Sequence, residues 1–281
     1  MTDLHDDAPA LSAYTERDVL GTVQRILDTI GLHPPYDPLA LPVDQYHSGG
    51  HEAVTRLATA MGIATDQRVL DVGSGLGGPA RMIAATTGAH VDGVDITAEY
   101  VGAAQWLTER TGLADLVTFT HAEIAEFPRT ELYDAAITLH VQMNVEGKTA
   151  WYRSIAEHLR PGAVLGIWEV CTTARADLTW PMPWSVTGTD SHLATPDELR
   201  TAIEGAGFIT NEWTDDSAWL REWFTALFAT GNAPANAGLS VIDNGQVRAA
   251  NFAGAFMSGQ VTVARATFTR ASDQPASSLE G

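Results

Sequence analysis

Short apolar segments alternate with amphipathic segments from residue 68 onwards, and this alternation limits the folds open to the chain. The apolar segments show almost no polar alternation, so each is predicted to be a strand buried on both faces. The segments between them have the apolar spacing of helices. Predicted strands cover residues 68–73, 89–94, 116–120, 134–139 and 163–169, and predicted helices cover 79–86, 98–111 and 148–159. Buried strands separated by helices indicate a doubly wound, mostly parallel α/β sheet.

The flanking segments predict additions to this sheet. Helical spacing of apolar residues over 18–30 and again from residue 53 indicates an N-terminal helical cap, residues 1–62. The main domain, 63–270, is expected to be Rossmann-like and to end in one antiparallel strand near 260–269. Its insertion at 171–195 is rich in Trp and Pro and too long for an ordinary connection, which is typical of a lid. The polar tail, 271–281, is predicted to be loose.

The turn after the first strand, DVGSGLGGP, fits two glycine motifs at once. Gly73, Gly75 and Gly78 give the dinucleotide pattern, and Asp95 stands where a ribose-binding acid belongs. Gly73, Gly75 and Gly77 give a second pattern with Asp71 two residues ahead. In both, glycines allow a tight turn and a close backbone approach to a ligand.

Asp71 distinguishes the two motifs. At the carboxyl end of the strand its carboxylate would repel a pyrophosphate but would suit an ammonium group. On this interpretation Gly78 has no role in holding a ligand, and we expect it to let helix and strand pack closely beside Pro79.

Five ordered segments resemble the motifs of class I S-adenosylmethionine-dependent methyltransferases, in the form found in bacterial small-molecule enzymes. They are VLDVGSGLGGPARMIA, VDGVDIT, VTFTHAEIAEFP, YDAAITLHVQMNVEGK and HLRPGAVLGIWEV. The resemblance implies S-adenosylmethionine as the cofactor, with Asp95 taking both ribose hydroxyls. Glu123 stands where the family usually has Asp beside the adenine amine, so that side chain is one methylene longer.

The resemblance also implies which residues surround the cofactor, including a short segment, 44–50, that folds over its methionine end. The implied cofactor residues are Tyr46, His47, Asp71, Gly73, Ser74, Gly75, Gly77, Asp95, Ile96, Glu123, Ile124 and His140. An alternative for 44–50 is a turn before the next helix with Ser48 as its N-cap.

Two histidines are candidates for acceptor chemistry. His140 follows the strand 134–139 and should stand at the cleft, where it either acts as a general base or lines the cofactor. The histidine pair of similar O-methyltransferases does not carry over, because those positions hold Met143 and Asn144. His192 lies in the insertion near Asp190, which could orient it as a base.

Aromatic residues predict an apolar acceptor pocket, with ordinary core packing as the alternative for each one. They are Trp180 and Trp184, which with Met182 give the insertion a large apolar face, and Trp219, Trp223, Phe224 and Phe228 on a predicted helix. Trp168 and Glu169 are expected to end the fifth strand and face the acceptor. Lys148 and Arg153 are interpreted as solvated helix residues, and no metal-ligand spacing is present.

The charge balance bears on partners. A formal net charge of -19 disfavours nucleic acid and anionic lipid. One cysteine permits no intrachain disulfide, and the sequence shows no signal peptide or membrane span, so we expect a cytoplasmic location. The sequence predicts no oligomeric state.

The resemblance implies methyl transfer from S-adenosylmethionine to an oxygen, nitrogen or carbon atom of a small molecule. The acceptor is expected to be apolar or aromatic-bearing and to belong to secondary metabolism. One alternative is an enzyme of the same fold that binds S-adenosylmethionine but catalyses cyclisation or rearrangement without methyl transfer. A less favoured alternative is an NAD(P)-dependent oxidoreductase.

Overall fold

The computed structural model describes residues 18–173, 177–229 and 242–272. Within them the strands are β1 (Arg68–Val72), β2 (His90–Asp95), β3 (Val117–His121), β4 (Tyr133–Leu139), β5 (Leu159–Thr172), β6 (Phe208–Asp215) and β7 (Val261–Arg270). The helices are α1 (Val19–Thr29), α2 (Gly50–Met61), α3 (Gly78–Thr87), α4 (Ala98–Thr111), α5 (Lys148–His158), α6 (Pro196–Glu204), α7 (Ser217–Ala229) and α8 (Gly245–Met257). A 3₁₀ turn, η1, covers Gln142–Asn144.

The strands of this region form one seven-stranded sheet in the order β3-β2-β1-β4-β5-β7-β6. β1 to β5 pair in parallel, and β7 runs antiparallel to both of its neighbours. This confirms the prediction of a Rossmann-like, mostly parallel sheet with one antiparallel strand. No predicted boundary of β1 to β4 differs from the observed boundary by more than one residue.

β5 is longer than predicted, because it continues through Thr172, which pairs with Val261 of β7. The expectation that Trp168 and Glu169 end this strand is therefore wrong. Both side chains are fully buried, so neither forms an open acceptor surface at a strand end.

Helices cover both faces of the sheet. Leu70 of β1 packs in the core beneath α5 and α6, and Val69 packs in the opposite core beneath α2, α3 and α8. Since side chains alternate along a strand, Asp71 lies on the same face as Val69. Asp71 thus faces α3, the helix that begins at the end of the glycine turn.

Two insertions build the region above the carboxyl ends of the strands. The described residues 177–195 precede α6, and α7 and α8 lie between β6 and β7 in the chain. Phe224 of α7 and Phe252 of α8 belong to the same core as Leu57 of α2. The described part of the chain has no helix long and apolar enough to span a membrane.

Two expectations about turns are wrong. α2 begins after Gly49, whose φ is +87°, and Ser48 does not cap it; the Ser48 hydroxyl instead contacts His140 Nε2 at 3.0 Å. A Cβ at Gly78 would lie 2.3 Å from the Asp44 carbonyl oxygen and 2.5 Å from Gln45 Nε2. Gly78 is thus needed for the approach of the N-terminal segment, not for helix–strand packing. The Thr195 N-cap of α6 is present and is part of a capping box with Glu198.

Candidate active site

The glycine turn follows β1 at the carboxyl end of the strand. Gly73, Gly75 and Gly77 all have positive φ, which other residues adopt only with strain. The Gly73 amide donates to the Val94 carbonyl at 2.8 Å, tying the turn to β2. A Cβ at Gly77 would lie 2.2 Å from the Phe119 ring, so no larger side chain fits there.

Asp95, at the end of β2, is oriented by backbone donors. Its two carboxylate oxygens accept from the Gly75 amide at 2.8 Å and from the Thr97 amide at 2.9 Å. A carboxylate has about four lone-pair sites, so it keeps acceptor capacity for two ligand hydroxyls. Burial raises the pKa of Asp95, and the two amide hydrogen bonds act in the opposite direction.

Asp71 has unused acceptor capacity in a buried place. Its side chain is 2% exposed, and its Oδ2 atom has no hydrogen-bond partner among the described residues. Burial raises the pKa of Asp71 to about 7, and the neighbouring Asp95 carboxylate adds to the rise. The buried Ser74 hydroxyl, three residues along the same turn, also lacks a partner there. An ammonium group with several donors is the complement of this arrangement.

The N-terminal strap, residues 44–48, covers this turn. Tyr46 lies over Gly75, with its ring 3.5 Å from the position of an added Cβ. Asp44 forms an ion pair with Arg81 of α3 at 2.8 Å, and both side chains are fully buried. Arg81 also donates to the Leu76 carbonyl at 2.6 Å, so one guanidinium joins strap and turn.

Two histidines meet above the turn. The His47 and His140 rings are 6.2 Å apart edge to face. His47 Nε2 lies 2.7 Å from Gln45 Oε1, and burial lowers the pKa of His47 to about 4. Burial, with a smaller effect of His47, also holds the pKa of His140 well below its usual range. Both rings are therefore neutral near pH 7. The second His47 nitrogen, Nδ1, lies 3.2 Å from the Ser48 carbonyl oxygen, so both His47 nitrogens face acceptor oxygens.

The backbone that presents His140 is fixed by a buried carboxylate. His140 has a φ of +57°, and its amide donates to the Trp168 carbonyl at 2.9 Å. Glu169 accepts from the Thr138 hydroxyl at 2.8 Å and from the Val141 amide at 3.0 Å. Burial raises the pKa of Glu169 to about 7. Glu169 therefore positions the backbone around His140 and does not face a methyl acceptor.

An aromatic wall borders His140. Phe252 lies 6.1 Å from the His140 ring, and Trp184 and Phe224 lie 5.9 and 6.1 Å from Phe252. Met182 and Trp184 are almost fully buried, which fits the core-packing alternative for these residues. Trp219 packs against Trp168 at 5.7 Å, and Trp223 packs against Phe224 at 5.1 Å. The side chain of Phe228 lies outside the described part.

The remaining predicted cofactor residues lie at the ends of β2 and β3. Ile96 is 51% exposed and Glu123 is exposed, so both are at the rim, whereas Ile124 is buried. The Ala122 amide donates to the Asp95 carbonyl at 3.0 Å and joins the two strand ends.

His192 lies in a different place from His140. Its amide donates to the Met143 carbonyl at 2.8 Å, and its ring lines a separate cavity with Lys148 and Trp180. Asp190 accepts from the Ser185 hydroxyl, a contact within the insertion. The rings packed against His140 within the described residues are His47 and Phe252.

The sequence did not predict the roles of four residues in this region, which are Asp44, Ser48, Arg81 and Glu169. Arg81 had one visible signal, because it stands among apolar residues on a helix that is otherwise buried. The others act through partners distant in sequence; Asp44 and Arg81, for example, are 37 positions apart. The described residues contain no cluster of three His, Cys, Asp or Glu side chains suited to a metal ion.

Known proteins resemble this chain in sequence. Residues 69–162 match a family model for a methyltransferase domain. A sterol 24-C-methyltransferase of Gibberella zeae is 36% identical over 114 residues, 40% of this chain and 30% of that protein. A methyltransferase of Penicillium fellutanum is 30% identical over 159 residues, 54% of this chain and 49% of that protein. The chain thus spans less than half the length of these relatives.

Solved structures share the fold. The cyclase SpnF superposes with a TM-score of 0.64 at 20% identity, covering 91% of this chain and 94% of that one. A geranyl diphosphate methyltransferase complex gives 0.67 at 16% identity, covering 92% and 98%. Residues 69–162 therefore match a methyltransferase domain, and the described part of the chain shares its fold with solved methyltransferases.

Proposed function

We propose that the protein transfers a methyl group from S-adenosylmethionine to a small, largely apolar acceptor of secondary metabolism. The observation that carries the proposal is the buried, unpartnered Oδ2 of Asp71 beside the Asp95 carboxylate and the glycine turn. When bound, S-adenosylmethionine supplies an electrophilic methyl group on a sulfonium centre. Asp71 and Ser74 would hold the ammonium end, Asp95 the ribose hydroxyls, and Tyr46 and His47 would cover the cleft.

The chain's own part in methyl transfer is alignment and exclusion of water. The aromatic wall of Trp184, Phe224 and Phe252 favours an apolar acceptor next to His140. The relatives support this acceptor class, because one is named for a sterol and a solved neighbour for geranyl diphosphate. The cytoplasmic location, the division at residues 62 and 270, and the lack of a nucleic-acid partner stay predictions.

The direct test is incubation of the protein with S-adenosylmethionine and a panel of sterols, prenyl compounds and aromatic secondary metabolites. We expect a product heavier by one methyl group and an equal amount of S-adenosylhomocysteine, measured by mass spectrometry. A product of unchanged mass would favour cyclisation or rearrangement, which the resemblance to SpnF keeps as the second candidate. Thermal stabilisation by NAD(P) but not by S-adenosylhomocysteine would contradict both.

His140 is proposed to accept a hydrogen bond or a proton from the acceptor. We expect His140→Ala to lower kcat by about 100-fold, the range of a lost general base, because no other imidazole adjoins Phe252 in the described region. Affinity for S-adenosylhomocysteine, measured by calorimetry, should change little. The matched control is His90→Ala. His90 is exposed and is the first residue of β2, whereas Asp95 is the last. An unchanged kcat in His140→Ala would remove this residue from the chemistry.

A further inference from the structure

A second cavity lies beneath the 177–195 insertion. The Lys148 cavity has a volume of about 540 Å³ and is lined by Glu146, Lys148, Trp180, Ser191, His192 and Glu198, among others. This size is within the range of small-molecule sites. The insertion separates it from the cleft, since Trp184 contacts Phe252 while Trp180 borders the cavity.

Lys148 is the only lysine of the chain, and its ammonium is half-buried rather than solvated as expected. It donates to the Val145 carbonyl at 2.7 Å and to the His192 carbonyl. An ammonium has three donors, so one N–H remains for a ligand. Burial lowers the pKa of Lys148 to about 8, which leaves the group largely charged at neutral pH.

Trp180 supplies a flat apolar surface. A Cβ at Gly188 would lie 2.3 Å from its indole, so the glycine lets the loop backbone fix the ring. Trp184 packs against its edge at 6.4 Å. The indole is half-buried and lines the cavity, so part of its surface is available to a ligand.

The polar lining mixes donors with acceptors. Ser191 Oγ accepts from Trp184 Nε1 at 2.9 Å, which leaves its own O–H to donate. Glu146 is exposed and offers a carboxylate. The lining carries the ammonium of Lys148 and the carboxylates of Glu146 and Glu198, so its formal charge is about −1, which disfavours phosphate.

We propose that the Lys148 cavity binds a hydroxylated ring of the sugar type, at a site distinct from the cofactor cleft. Each ring hydroxyl both donates and accepts, which matches a lining of mixed polarity. The C–H face of such a ring packs on an indole, whose apolar body and polar N–H suit an amphipathic ligand. The ring is either a separate molecule or a substituent of the acceptor.

The test is saturation-transfer NMR on protein loaded with S-adenosylhomocysteine, using the methyl glycosides of glucose, galactose, mannose and xylose. We expect saturable binding of at least one glycoside. Trp180→Ala should weaken it by about tenfold or more, and Glu146→Gln by several-fold. Trp106→Ala, a half-buried tryptophan on α4, is the matched control. Aryl glycosides are then compared with methyl glycosides. If the aryl glycosides bind more tightly and lose this advantage in Phe252→Ala, the ring is part of the acceptor. If the two kinds of glycoside bind equally tightly, the ring is a separate ligand.

The proposal is overturned if no glycoside of the panel binds, or if binding is the same in Glu146→Gln and Trp180→Ala as in the wild type. Glu146→Gln keeps this readout usable if Trp180→Ala fails to fold, because Glu146 is exposed. The thermal shift produced by S-adenosylhomocysteine tests the cofactor cleft separately. A lost shift with retained glycoside binding would reject the proposed function alone.

Discussion

Asp71→Asn is expected to weaken binding of S-adenosylhomocysteine by about tenfold or more, because it removes the buried charge proposed to face the ligand ammonium. The variant keeps the shape of the side chain, so the glycine turn should stay intact. Calorimetric titration near pH 8, where Asp71 is mostly ionised, gives the largest difference. Asp115→Asn, at an exposed position after α4, is the matched control. Equal affinities of the variant and the wild type would contradict the assignment of Asp71.

The same variant should also change how stability and affinity depend on pH. The pKa of Asp71 is about 7 in the folded protein, against 3.8 for the ordinary group. Between these values the folded state binds more protons than the unfolded state, so the ligand-free protein loses stability as pH rises. Between pH 3.8 and about 7, the free energy of unfolding of Asp71→Asn should therefore fall by a few kcal/mol less than that of the wild type. The contribution of Glu169, whose pKa is also raised, is common to both proteins and cancels in the comparison.

Ligand affinity should follow the opposite trend. As pH rises towards 7, Asp71 ionises and becomes the better partner for an ammonium group, so affinity should rise in the wild type and stay nearly flat in Asp71→Asn. Binding should release protons, and calorimetry in buffers of different ionisation enthalpy measures their number. A wild-type affinity that falls with pH over this range would be incompatible with the proposed contact.

Arg81→Met is expected to lower the free energy of unfolding by about 3–5 kcal/mol, the cost of leaving a buried charge without its partner. Asp44 would keep a fully buried carboxylate, and the Leu76 carbonyl would lose a donor at 2.6 Å. The N-terminal strap should then loosen from the turn and weaken cofactor binding as well. Urea unfolding measures the first effect and calorimetry the second.

Two further variants separate this effect from a general loss of arginine. Arg200→Met breaks an exposed pair with Asp197, and it should change stability by less than about 1 kcal/mol. The double variant Asp44→Leu/Arg81→Met should regain much of the lost stability, since no charge is left buried alone. A double variant as unstable as Arg81→Met would show that the ion pair is not the cause.

The sequence predicted the elements whose pattern comes from the chain itself. β1 to β4 were correct to about one residue, and in β1 and β4 the reason is that strands buried on both faces are apolar along nearly their whole length. The prediction of burial on both faces was wrong for β3, an edge strand whose residues Thr118, Thr120 and His121 are exposed. α6 begins with the Thr195 cap followed by Pro196, a helix start that is visible in the sequence itself because a cap is built from neighbouring residues. β5 was predicted too short, since its last residues are strand only through pairing with β7.

The candidate site divides in the same way. The glycine turn, Asp71 and Asp95 followed from the sequence, because the carboxyl ends of adjacent parallel strands meet at one edge of a sheet. Glu169 was misplaced and Lys148 was interpreted as solvated, because burial depends on which segments pack over a residue. The roles of Ser48 and Gly78 likewise depend on contacts with His140 and with the strap.

The sequence by itself therefore determined the sheet, the glycine turn and the two carboxylates, since each depends on local periodicity or on strand-end position. Only the tertiary structure decided that Arg81 pairs with Asp44, that His140 meets His47 and Phe252, and that His192 and Lys148 border a different cavity. These contacts join residues far apart in the chain. Their charge states and partners are set by burial, a property of the packed molecule that residue order alone does not specify.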